Sequence, residues 1–109
     1  MTKNLPPRSV TFRRTMNDAR EAIAKDLFAA DRVLEMASRA AAAGENFIVI
    51  SPPRPIDLHG TDAAQSLTTI LEREGFTTSW DSHEHPTNVA LPPYFDLLIR
   101  WDTEKGPQK

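Results

Sequence analysis

The side chains best suited to chemistry fall in one run, Asp81, Ser82, His83, Glu84 and His85, the densest group of proton-transfer and metal-ligating residues in the sequence. In an extended trace His83 and His85 share a side, and Asp57 with His59 could approach from an earlier segment to complete a transition-metal site. The same imidazoles could serve as general bases. Two features argue against both uses. The run enters a proline-bearing connection over residues 82–93, with no fixed helical spacing, where polar side chains and solvated histidines are ordinary. No serine, threonine or lysine stands at a recognisable nucleophile spacing from it. The expectation is no catalytic residue, no metal and no cofactor, with a metal-dependent enzyme using His83 and His85 as the alternative.

Other chemistries are narrower still. The absence of cysteine removes disulfides, thiolate metal sites and thiol nucleophiles. The four glycines, Gly44, Gly60, Gly75 and Gly106, are scattered and form no phosphate-cradling loop. Lys3, Arg8, Arg13 and Arg14 crowd the start of the chain, and Phe12 among them could stack on a base, so a nucleic-acid binder using this basic arm is a second alternative. Asp57, Asp62, Glu72, Glu74, Asp81, Glu84, Asp96, Asp102 and Glu104 dominate the second half. An acidic body repels a duplex, so nucleic acid is not the expected partner.

The elements that would position these residues follow from spacing. Residues 1–14 read as an extended basic arm, since Pro6 and Pro7 oppose helix while Ser9, Val10, Thr11 and Phe12 favour an extended trace. Thr15 and Asp18 form a capping-box arrangement that starts a helix over residues 15–43. Its apolar stripe runs through Ile23, Leu27, Ala30, Leu34, Ala37 and Ala41, and Gly44 ends it. Phe47, Ile48, Val49 and Ile50 read as a strand buried on both faces, stopped by Pro52, Pro53 and Pro55. Gly60 and Thr61 open a second helix carrying Ala63, Leu67, Ile70 and Leu71, and Gly75 terminates it. Phe76, Thr78 and Trp80 alternate with Thr77 and Ser79 as a half-buried strand, and residues 94–101 form the last one. Residues 103–109 read as a disordered tail.

The resulting class is α+β: a long N-terminal helix, then β-α-β-β, with a three-stranded mixed sheet in the order 1-3-2 and both helices on one face. One domain over residues 15–102 suits 109 residues of which 39% are hydrophobic. No stretch approaches the roughly 20 apolar residues of a membrane span, and the start lacks a secretory pattern, so the expectation is a cytoplasmic protein with no membrane partner.

A 29-residue helix would run roughly 40 Å, against roughly 20–25 Å for the strands. Leu34, Ala37 and Ala41, widened by Val33 and Met36, are expected on the sheet, leaving Ile23, Leu27 and Phe28 for a neighbouring subunit or target. Burying those three would contribute on the order of 1.5–3 kcal/mol each. Phe12, Arg13 and Arg14 of the arm join them as interface candidates. Tyr94 and Leu98 do the same on the sheet face the helices leave bare. A homo-oligomer is expected.

Over residues 44–101, Gly44, Ile48, Ile50, Leu67, Leu71, Gly75, Phe76, Leu97, Ile99 and Trp101 carry a layout that resembles small proteins encoded by tailed phages and prophages. The resemblance implies a mobile-element origin and an αβαββ fold, and it carries over no catalytic residue. The expected function is a non-enzymatic, oligomeric protein-binding protein: a virion assembly component, or an inhibitor of a host protein complex such as a defence system.

Overall fold

Six elements follow one another over residues 7–102, which the computed structural model describes: α1 (Arg8–Leu27), α2 (Ala30–Ala42), β1 (Phe47–Ile50), α3 (Asp62–Arg73), β2 (Thr77–His83) and β3 (Tyr94–Arg100). The strands form one sheet in the order β1-β3-β2. The order is the expected one, but both pairings are antiparallel, so the sheet is antiparallel throughout and not mixed: Phe47 and Thr77 flank Arg100 at one end, and Ile50 and Trp80 flank Leu97 further along. β1 and β2 thus point the same way without touching, as a β-α-β crossover with an inserted return strand requires.

The helices cover one face. Val33 and Ala37 of α2, with Ala64, Leu67 and Leu71 of α3, are buried in one cluster with Ile48, Ile50, Leu97 and Ile99 of the sheet and Leu58 of the β1–α3 connection. Period-two alternation in β1 and β3 and a three-to-four residue period in the helices bring these side chains to a common layer. α2 and α3 end in the same way. Gly44 and Gly75 adopt φ of +91° and +96°, and in each case the amide two residues past the C-cap returns to the last turn: Glu45 N–H to the Ala40 carbonyl at 2.9 Å, Phe76 N–H to the Leu71 carbonyl at 3.0 Å. These are Schellman closures, which need a residue at ease in the left-handed region.

The N-terminal helical region departs from expectation in three places. First, helix begins at Arg8, so the expected extended arm is helical from residue 8 to residue 14; residues 1–6, like the expected tail 103–109, lie outside the described residues. Pro7 does not oppose this helix. It stands at its start, and its carbonyl accepts the Val10 amide at 2.9 Å, a position where the missing proline N–H costs nothing. Second, Thr15 is mid-helix, its hydroxyl donating back to the Thr11 carbonyl at 3.0 Å in place of capping.

Third, the long helix is two helices. The chain leaves α-geometry at Phe28 (φ -105°, ψ 24°) and Ala29 (φ -63°, ψ 124°) before α2 starts. No proline or glycine marks the break. Phe28 turns into the core, 4% exposed, and meets Trp80 edge-on with ring centroids 5.9 Å apart. Arg32 bridges the break, donating to the Asp26 carbonyl at 3.2 Å and its carboxylate at 2.8 Å, which satisfies one of the open carbonyls of the last turn of α1. The result relieves the length mismatch. α2, with 13 residues, spans about 20 Å and matches the sheet, while α1 swings onto α3.

The division of the apolar stripe changes accordingly. Phe28 is core, and Ile23 and Leu27 are half-buried against it, so these three do not form the projecting surface expected of them. Met36 and Ala41 are exposed. β1 is buried on one face only, with Ile48 and Ile50 inside and Phe47 and Val49 outside at 44% and 43% exposure.

Candidate protein-interaction surfaces

The first surface is the outer part of α1. Over residues 11–19 every side chain is exposed, including Phe12 at 70% and Met16 at 39%. Phe12, Met16, Ala19 and Ile23 recur at spacings of four, three and four, one apolar seam that enters the core at Ile23 and continues outward beyond the body. Arg8, Arg13 and Arg14 decorate the same turns, and no acidic residue precedes Asp18. The Cα radius of gyration, 17.5 Å, exceeds the roughly 13 Å of a compact 109-residue domain, and the longest dimension is 70 Å against 29 and 26 Å. α1, whose 20 residues span about 30 Å, is the longest of the described elements.

Besides the packing of Ile23, Ala24 and Leu27, one carboxylate ties α1 to the start of α3. Glu21 accepts the Asp62 amide at 3.0 Å through one oxygen and the Ala63 amide at 2.9 Å through the other. The Thr61 hydroxyl accepts the next amide, from Ala64, at 3.2 Å while donating to the Leu58 carbonyl at 2.8 Å. The first three amides of α3, which no helix can satisfy internally, are thereby all paired, and a negative charge sits at the positive end of the helix dipole. Asn17, Arg20 and Glu21 face Asp57, Gly60 and Thr61 across the polar cleft this creates. Glu21 carried no signal in the sequence, because its partners lie 41 and 42 residues away.

The second surface is the bare face of the sheet. Phe47 and Val49 of β1, Tyr94 and Leu98 of β3 and Thr77 and Ser79 of β2 lie there by register. Tyr94 and Leu98 are half-buried, and His83 stacks on Tyr94 with centroids 5.4 Å apart. Phe47 and Val49 join the residues singled out in the sequence, which read β1 as wholly buried. A third surface, also not anticipated, is an apolar groove of about 330 Å³ between α2 and the start of β2, lined by Leu34, Ala37, Ser38, Ala41, Phe76 and Trp101. Phe76 and Trp101, both lining it, meet edge-on with ring centroids 6.1 Å apart. Ala37, Ser38 and Ala41 of α2 line its other side.

The histidines are drawn apart. His83 Nε2 pairs with Asp96 Oδ2 at 2.8 Å across β2 and β3. His85 Nδ1 accepts the Thr87 amide at 3.2 Å in the following loop. His59 lies on the opposite, helix-covered side, bound to Asp57 at 2.5 Å and resting on Phe95 with centroids 4.0 Å apart. Each imidazole thus holds a carboxylate or an amide of its own neighbourhood. Among the described residues, no group of three His, Asp or Glu side chains is arranged to hold a metal ion. No described helix is long and apolar enough to cross a membrane. No family model, curated protein or solved structure matches the chain.

Proposed function

We propose that this is a non-enzymatic protein-binding protein that assembles into oligomers through the projecting half of α1. The observation that carries the reading is the exposure of Phe12 and Met16 on a helix that stands off its own body. An isolated helix of that length is marginal in water, so its outer turns gain most of their order from a surface packed against their apolar seam. Their electrostatics point the same way. Three arginines and no carboxylate occupy the start of α1, where the helix dipole is already positive and no side chain caps the amides. An acidic protein surface relieves that conflict.

A place in a virion assembly or on a host complex, as the resemblance to small phage proteins implies, is compatible with this surface. Light scattering coupled to size exclusion, over a range of concentrations, tests the central claim. The native chain is expected to exceed its 12.2 kDa monomer mass, and the Phe12→Ser/Met16→Ser double variant to return to it without loss of fold. A native chain that stays monomeric while binding duplex DNA, with an affinity falling steeply with salt, would establish the basic-arm alternative instead.

A further inference from the structure

Resting on that reading, we infer that the outer turns of α1 dock into the Leu34–Trp101 groove of a second copy of this chain, so that subunits add head to tail. The two surfaces lie at opposite ends of the molecule. Glu21 holds α1 at the N-terminal end of α3, and Arg20 lines a cleft with Pro55, His85 and Pro93, where β1 and β2 finish. The groove lies at the other end, where α2 and α3 finish and β1 and β2 begin, since Phe76 and Trp101 border the Phe47, Thr77 and Arg100 register. The projecting turns therefore lie far from the groove of their own subunit and meet that of another.

Shape and charge match. An apolar cavity of about 150 Å³ holds a benzene ring, so a groove of about 330 Å³ has room for the Phe12 ring with the Met16 side chain beside it. Ala37, Ser38 and Ala41 present no bulk that would keep a second helix at a distance. Around the groove, the turns that close α2 and α3 carry Glu45, Glu72 and Glu74, and Asp102 follows β3. The cations at this end are Arg39, Arg73 and Arg100, of which Arg39 is already paired with Glu35 at 2.7 Å and Arg100 with Asp102 at 3.2 Å. Glu72 accepts the Thr78 hydroxyl, and Glu45 and Glu74 are exposed in the closing turns. The C-terminal dipoles of α2 and α3 add negative potential there. A helix bearing Arg8, Arg13 and Arg14 is the complement of this end, whereas a second α1 would face it with like charge. Because donor and acceptor surfaces differ, the contact is heterologous and yields a ring or an open filament.

Two variants of the full chain test this. Phe12→Glu/Met16→Glu removes the donor, and Ala41→Trp fills the groove from an exposed position. Each alone is expected to be monomeric at concentrations on the order of 100 µM, at which the native chain is expected to associate. Mixed in equal amounts they should form a dimer and nothing larger, because only one donor and one groove remain intact. Circular dichroism confirms that both are folded. An Ala41→Trp protein that still self-associates, while the Phe12 and Met16 variant does not, would assign the contact to pairing between two α1 helices and overturn the groove as its site. A mixture that stays monomeric although the native chain oligomerises overturns it as well. A monomeric native chain would overturn both this inference and the reading on which it rests.

Discussion

The substitution Glu21→Gln isolates the contact that aims α1. The native carboxylate accepts two α3 amides, at 3.0 and 2.9 Å, one per oxygen. Glutamine keeps the stem and one acceptor but loses the charge and strands one amide. Capping substitutions at helix N-termini cost about 0.5–2 kcal/mol, and the charge adds a dipole contribution of about 0.3–1 kcal/mol at a surface site. Glu21 is half-buried and Asp62 is exposed, so solvent competes for the freed amide and a loss of about 1–2 kcal/mol is expected. At roughly 4–8 °C per kcal/mol for a domain near 100 residues, Tm should fall by about 4–16 °C. Calorimetry gives Tm, and amide exchange gives the location of the effect: the amides of Asp62 and Ala63 lose protection, and the last two turns of α1 exchange faster as the helix detaches. Alanine is a poorer probe, because its higher helix propensity in α1 partly offsets the loss. A Tm within about 1 °C of native, with α1 exchange unchanged, would show that packing of Ile23, Ala24 and Leu27 alone holds the helix and that the carboxylate is incidental.

Three further substitutions or additions probe the rest. Phe28→Ala should cost about 3–5 kcal/mol in urea unfolding, because the ring fills the core beside Trp80; a loss below 1 kcal/mol would return Phe28 to the surface role expected from sequence. Gly75→Ala should destabilise by about 1–2 kcal/mol, a purely backbone effect, since a Cβ there meets nothing within 4 Å while φ is +96°; an unchanged midpoint would mean that the turn relaxes freely. Stoichiometric zinc should leave Tm unchanged, given His83 paired with Asp96 and His85 engaged by Thr87; a rise of several degrees would reopen the metal-dependent alternative.

Legibility followed the range of the forces involved. α3 was readable because its signals are local: Thr61 caps it, Gly75 closes it and Leu67 and Leu71 recur on one face. The sheet order was readable because β3 carries the most apolar long strand and so belongs in the middle. Tyr94 and Leu98 were placed on the bare face by the two-residue period of β3 alone. The outer turns of α1 were missed as helix because prolines at its start were read as breakers, although a proline just before the first turn is compatible with one. The Phe12, Met16, Ala19 and Ile23 spacing was the signal that could have found them.

Composition and period by themselves determined an α+β domain without thiol chemistry, its helix ends at glycine and the alternation of its strands, all consequences of interactions a few residues apart. Tertiary structure alone decided that the long helix breaks at Phe28. The apolar stripe runs through that point unmarked, and what breaks it is the gain from seating one aromatic ring against Trp80 and matching α2 to a short sheet. The same break sends α1 across α3 to Glu21's anchoring amides and exposes Phe12 and Met16 in place of Ile23, Leu27 and Phe28. Which residues of a periodic helix face solvent depends on where its supports end, and supports 40 residues away leave no trace in local spacing.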